Sequence, residues 1–230
     1  MYSLCVIIPF YNEELFFEKS LLRLLDNDIF EQILLVDDCS TDLSSEIAKK
    51  YSNTNQKITY LKTSNNGGKG AALMEAFAKV STTHVVIHDA DLEYDPFDII
   101  EMKKKSMQNT NSLILGSRFI GNKIRENGYM RTYLANKTMS TFFSVVNNYK
   151  ITDIATCYKL MPAEFIKTTK IKEKGFSIEI ELLSKYLKFN KSVVEVPISY
   201  SGRSYDEGKK IKTSDGFLYL FNTVRYKFLN

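Results

Sequence analysis

The sequence predicts an α/β sandwich built on a mostly parallel sheet, and three features carry that prediction. Short apolar runs alternate with stretches of helical periodicity through the first half of the chain. The runs are apolar throughout rather than at every second residue, as strands covered on both faces require. Polar and acidic residues gather where these runs end, and open parallel sheets bind ligands at the C-terminal ends of their strands.

The first run, LCVIIPF, leads into Tyr11, Asn12 and Glu13 and a helical pattern over 13–25. QILLVDD at 32–38 ends in Asp37 and Asp38; Ser40 or Thr41 then caps a helix over 43–51. The polar stretch 51–57 reads as a surface loop before KITYLKT, at 57–63. SNNGGKGAAL is a glycine-rich turn into a helix over 69–80. HVVIHDA at 84–90 runs into a cluster of Asp89, Asp91, Glu93 and Asp95, with Asp95 and Asp98 as caps for a helix over 97–107. NSLILGS at 111–117 ends at Ser117 and Arg118. Beyond Gly116 the pattern loosens: an amphipathic segment at 130–146, then EFIKTTK, GFSIEIELLSKYL, the strand-like VVEVPISY and a helix at 215–228.

With 230 residues, 44% hydrophobic and 25% charged, the chain can bury one substantial core. Ten glycines and four prolines are scattered without forming a linker, so one domain is expected over 1–230. Residues 1–120, where the polar strand ends lie, read as its ligand-binding half, and 121–230 as the half that completes the site. Cys5, Cys39 and Cys157 have no metal or disulfide spacing and read as reduced thiols in a cytoplasmic protein. The apolar run after Met1 is too short for a signal peptide, and no run approaches the ~18 residues of a membrane span. A net charge of +4 without a basic, aromatic-studded stripe argues against nucleic acid.

Four constellations carry chemistry. Asp89, Asp91 and Glu93 sit two apart, so in an extended segment they converge on one side. Their oxygens suit Mg²⁺ or Mn²⁺, which takes one or two carboxylates plus substrate phosphates. One carboxylate of the VDD motif can accept hydrogen bonds from a base or ribose, or pair with a lysine. The GGKG turn lacks the Ser or Thr of a P-loop, leaving either a structural turn or a helix N-terminus that favours anions, with Lys69 beside it. Arg118, Arg203, Lys209 and Lys210 offer cations for phosphates, and Gly202 and Gly208 bracket a lid over them. Metal and cations at one sheet edge describe a holder for a nucleotide diphosphate.

VIIPFYNEE, LLVDDCSTD, GGKGAAL, DADLEYDP, LGSRF and VPISYSGRSYDEGKK, in this order, resemble the family 2 glycosyltransferases of the GT-A fold, a Rossmann-like nucleotide-sugar-binding sandwich. The likeness is to the polyprenyl-phosphate subgroup, such as dolichyl-phosphate mannosyltransferases. It implies that Pro9, Tyr11, Glu13 and Asp38 hold the nucleotide, with Val36 beside the base. It places Asp89, Ala90 and Asp91 at the diphosphate and metal, Glu93 as a further ligand, and Arg118, Arg203 and Lys209 on phosphates. The family's D-x-x-SGFR stands here as TDIATCYKL, keeping only Asp153.

The implied reaction is inverting transfer of a hexose from a nucleotide-diphosphate sugar to a polyprenyl phosphate, with peripheral contact at the cytoplasmic face of a membrane. A hydroxyl acceptor would need a base, for which Asp153 is the candidate. A sugar nucleotidyltransferase would need a glycine-rich fingerprint where PFYNEE stands; a non-catalytic nucleotide-sugar binder would not need the DAD motif and basic loop. His84 and His88 read as ordinary core or rim histidines.

Overall fold

The computed structural model describes residues 1–126, 130–203 and 213–229, with the side chains of 213–215 outside the description. The strands are β1 (Leu4–Phe10), β2 (Gln32–Asp37), β3 (Ile58–Lys62), β4 (His84–Ile87), β5 (Leu113–Ser117), β6 (Arg125–Glu126), β7 (Lys159–Pro162), β8 (Val193–Pro197) and β9 (Tyr200–Ser201). The helices are α1 (Phe17–Leu25), α2 (Ser44–Thr54), α3 (Lys69–Phe77), α4 (Asp98–Gln108), α5 (Met130–Asn147), α6 (Ala163–Thr168), α7 (Ile178–Phe189) and α8 (Thr213–Phe228).

Seven strands form one sheet in the order β3-β2-β1-β4-β7-β5-β8. All neighbours run parallel except β7, which is antiparallel to both β4 and β5. The continuous apolar runs are buried on both faces as their composition requires: Cys5, Ile7, Leu34, Val36, Val85 and Ile87 face one core, and Leu4, Val6, Ile8, Ile33, Leu35 and Val86 the other. The first core lies under α3, α6 and α7, the second under α1, α2 and α4.

β7 was not foreseen. It starts at the last two residues of the TDIATCYKL segment and inserts between two strands of the first half, so residues beyond 121 share the same sheet and core. The helix expected from residue 13 starts at Phe17, because Asn12 adopts φ 49° and the chain turns before coiling. Asp95 sits in the turn before α4, where it accepts the Phe97 amide at 3.1 Å, and makes no side-chain cap bond to the helix itself. Asp98 does not; its carboxylate turns away to the Ser199 amide and Lys123.

Candidate active site

A cleft of about 260 Å³ opens where β1, β2 and β4 end. Pro9, Tyr11, Glu13, Asp38, Lys69, Asp89, Ala90, Asp91, Glu93 and Arg203 line it, with Phe10, Asn66, Gly68, Ala72 and Phe176. Segments distant in sequence thus deliver their polar ends to one rim.

β4 drives the acidic cluster into the cleft, and two cations meet it. The Lys69 ammonium lies 2.6 Å from Asp89 Oδ1. Arg203 donates to Asp91 Oδ2 and to Glu13 Oε2, both at 2.9 Å. Burial alone would raise the Asp89 carboxyl, but the Lys69 charge overturns this and holds it below the usual carboxylate range. Asp91 goes the other way: burial, then repulsion from Glu93 and Asp89, pushes it up to about 8 despite Arg203. The cleft therefore holds more negative charge than its two cations neutralise.

Glu93 is placed differently from the third ligand expected of it. Oε2 accepts the Tyr200 hydroxyl at 2.8 Å and Oε1 the Arg203 amide at 2.9 Å, while its carbonyl takes the Ser201 amide. Glu93 captures the 200–203 segment and so delivers the Arg203 side chain to the cleft. Among the described residues no three His, Cys, Asp or Glu side chains are grouped to hold a metal on their own.

Asp37 and Asp38 divide their work. Asp37 is fully buried and ties the loop after β2 together through the Ser40 amide, the Ser45 hydroxyl and Tyr60. Asp38 faces the cleft and accepts the amides of Gly67 (3.0 Å) and Gly68 (2.6 Å), fixing the glycine-rich turn. That turn has a packing role. Gly68 has φ +89°, and a Cβ on Gly70 would lie 2.0 Å from the Glu173 carbonyl oxygen. The Ala71 amide at the start of α3 donates to the Lys174 carbonyl, so part of that helix N-terminus is already covered by protein.

Three expected site residues lie outside the cleft lining. Val36, expected beside the base, is wholly buried and packs in the core with Ala72 and Leu73. Arg118 and Asp153 hold each other: Nε and one terminal nitrogen of Arg118 each donate to Asp153 at 2.7 Å, and the Arg118 amide adds a third bond. Asp153 is fully buried, so a carboxylate offered as a base has both oxygens bound by a guanidinium. Lys209, with Lys210 and most of the expected lid, lies outside the described residues.

The sequence reading missed Glu179 and Lys159. Glu179 on α7 lies 2.8 Å from Lys69, and its other oxygen pairs with Lys159, itself fully buried and bonded to the Ile154 and Thr156 carbonyls. A buried chain of alternating charge, Asp89–Lys69–Glu179–Lys159, therefore runs from the cleft into the core. Its one signal in the sequence was a lysine, Lys159, within an otherwise apolar LMP run. His88, fully buried between Tyr158 and Ser20, is pushed down to about 4 by burial and stays neutral.

The family model described as glycosyl transferase family 2 matches residues 5–169 of this chain. The chain belongs to glycosyl transferase family 2. It is 28% identical over 225 residues to a dolichol-phosphate mannosyltransferase of Pyrococcus furiosus, covering 96% of this chain and 62% of that protein. It is 26% identical to a dolichyl-phosphate beta-glucosyltransferase of Trichomonas vaginalis, covering 92% of this chain and 68% of that one. Among solved structures, the family 2 chain superimposes on glucosyl-3-phosphoglycerate synthase from Mycobacterium tuberculosis in complex with UDP. The TM-score is 0.76 at 14% identity, covering 100% of this chain and 81% of the other. A further structure of that synthase, with Mn²⁺, UDP and phosphoglyceric acid, gives 0.73 at 15% identity, covering 98% and 78%. These likenesses establish the GT-A α/β fold that the motifs led us to expect.

Proposed function

We propose that this family 2 glycosyltransferase moves a hexose, with inversion, from a nucleotide-diphosphate sugar of the GDP-mannose or UDP-glucose type to a polyprenyl or dolichyl phosphate at the cytoplasmic membrane surface. One observation carries the reading: Asp89 and Asp91, each tied to a cation, project into a cleft at the strand ends. The names of the archaeal and protozoan relatives support the lipid acceptor, and the UDP bound to the structural neighbour supports the donor class.

A divalent ion fits these residues. Asp91 is raised to about 8 by burial first and then by the neighbouring Glu93 and Asp89 carboxylates, and the oxygens of this acidic group are hard donors. Two carboxylates without a complete protein cage suit Mg²⁺ or Mn²⁺ completed by phosphates. Asp89 and Asp91 would hold the ion, which supplies charge neutralisation for the departing diphosphate.

The chain's own residues do the rest. Lys69 orients Asp89, Arg203 offers a planar cation to phosphate oxygens, and Asp38 shapes the nucleotide end through the Gly67–Gly68 turn. In the transfer, an acceptor oxygen forms a bond to the anomeric carbon as the bond to the diphosphate breaks. A phosphate acceptor arrives ionised and needs no base. The burial of Asp153 against Arg118 favours it over a hydroxyl acceptor, since the base that a hydroxyl would need is engaged.

A thermal-shift series with GDP-mannose and UDP-glucose, each with and without Mn²⁺, tests the donor and metal together. One donor should stabilise the fold, by about 2.7 kcal/mol at a hundredfold excess over its Kd, and only with the ion. No stabilisation by either donor under any metal condition would reject the reading.

A further inference from the structure

A second cavity, of about 220 Å³, lies where the C-terminal ends of α5, α7 and α8 converge. Helix α7 leads directly into strand β8, and β8 runs parallel to β5, so α7 ends at the sheet edge opposite the cleft. Lys188, Lys191 and Lys227 line this cavity, and no carboxylate does among the described residues. Helix C-termini attract lysines through their dipoles, which accounts for part of the cluster. Lys227 is used in this way, donating to the Asn147 carbonyl at 3.4 Å.

Two further features are not explained by dipoles. The Ser184 hydroxyl lines the cavity, is 1% exposed, and has no hydrogen-bond partner among the described residues. Buried hydroxyls are normally satisfied, so a donor-acceptor waits at the cavity wall for a ligand oxygen. Apolar side chains also stand exposed next to the cationic ones: Val145 at 75%, Phe189 at 44%, Phe228 at 68% and Leu229 at 75%. They continue an exposed apolar row along α8 (Phe217, Phe221, Val224).

We propose that this cavity binds the phosphate of an anionic lipid headgroup, with the flanking apolar side chains entering the membrane interface. Lysines and a hydroxyl around a small polar cavity match a phosphate monoester or diester. The adjoining aromatic and aliphatic groups match the acyl boundary rather than a free ion in water. The site is separate from the acceptor position at the cleft and holds the α5–α8 face on the bilayer. It deepens the membrane part of the proposed function without depending on the acceptor chosen.

Vesicle flotation of the full chain tests this, with phosphatidylglycerol in phosphatidylcholine against phosphatidylcholine alone. Lys188→Gln, Lys191→Gln and Lys227→Gln are combined in one variant; Lys19→Gln, Lys79→Gln and Lys104→Gln give a second with equal charge loss elsewhere. The first set should weaken binding to anionic vesicles by roughly tenfold or more relative to the second. Ser184→Ala alone, in the wild-type background, should also lower it. Equal losses in both triple variants, or none in the first, would overturn the site. Stabilisation of the wild type, but not the first variant, by inorganic phosphate, with no vesicle binding, would also overturn it and assign a free phosphate instead. Transfer to a short, water-soluble polyprenyl phosphate is measured alongside. It should be unchanged in the first variant, so failure of docking is distinguishable from failure of the transferase reading.

Discussion

Glu179 balances two buried ammonium groups, those of Lys69 and Lys159, and its removal should be felt throughout the molecule. Glu179→Gln leaves both cations with one uncharged neighbour and should cost about 3–5 kcal/mol in chemical denaturation. Adding Lys159→Met removes one uncompensated charge and should restore much of that loss. A single variant as stable as wild type would show the chain of charges to be incidental. Asp91 behaves in the opposite sense. Its folded pKa, raised to about 8, exceeds the ~3.9 of an unfolded Asp. The folded state then binds more protons between those values, so without metal this group's contribution is full below pH ~4 and is lost as pH rises towards 8. Asp91→Asn should therefore raise stability in EDTA at pH 8, by on the order of 1 kcal/mol after discounting the Arg203 pair it breaks, and do so less at pH 5. The same gain at both pH values would contradict the assignment. Asp89 and Asp91 were legible in the sequence because a buried strand ending in carboxylates has few structural excuses. Glu179 and Lys159 were not, because their partnership spans 20 residues and appears only once β7 and α7 meet. Val36 does not line the cleft, because its side chain points into the core although its neighbours in sequence lie at the rim.

The glycine-rich turn and the 173–176 loop behave as one packed unit. The Phe176 carbonyl accepts the Tyr219 hydroxyl, and Glu173 is held by Arg225 and Tyr226, so α8 braces the loop from behind. Gly70 touches it from the front, at a distance that no Cβ can share. Gly70→Ala should destabilise by about 1–3 kcal/mol and displace Lys69 at the next position, whereas Gly175→Ala meets nothing within 4 Å and should be near neutral. Unfolding curves of the two variants check the contrast; equal effects would refute the packing account. At this scale the five strands of the first half and the helices between them were readable, because continuous apolar runs and turn residues mark them directly. β7 escaped because its four residues begin with a lysine and follow a run with no period. Such a strand is defined by the gap between β4 and β5 that it fills.

Across the whole molecule, the sheet gathers β1, β2, β4 and the 200–203 segment onto one rim, and the parallel order makes that rim the binding edge. Residues beyond the family match at 169 supply α7, α8 and β8, which hold Glu179, brace the cleft loop and present an apolar face. Among the described residues no helix is long and apolar enough to cross a membrane. The central claim is transfer from a nucleotide sugar to a lipid phosphate, dependent on a divalent ion at Asp89 and Asp91. Its most direct measurement is the transfer of labelled hexose from GDP-mannose or UDP-glucose to a polyprenyl phosphate, in Mn²⁺ and in excess EDTA, for wild type and Asp91→Asn. Labelled lipid should form only in wild type with the ion, and fall by at least ~100-fold in both the chelated and the Asp91→Asn reactions. Full transfer in EDTA, or an Asp91→Asn protein as active as wild type, would contradict it.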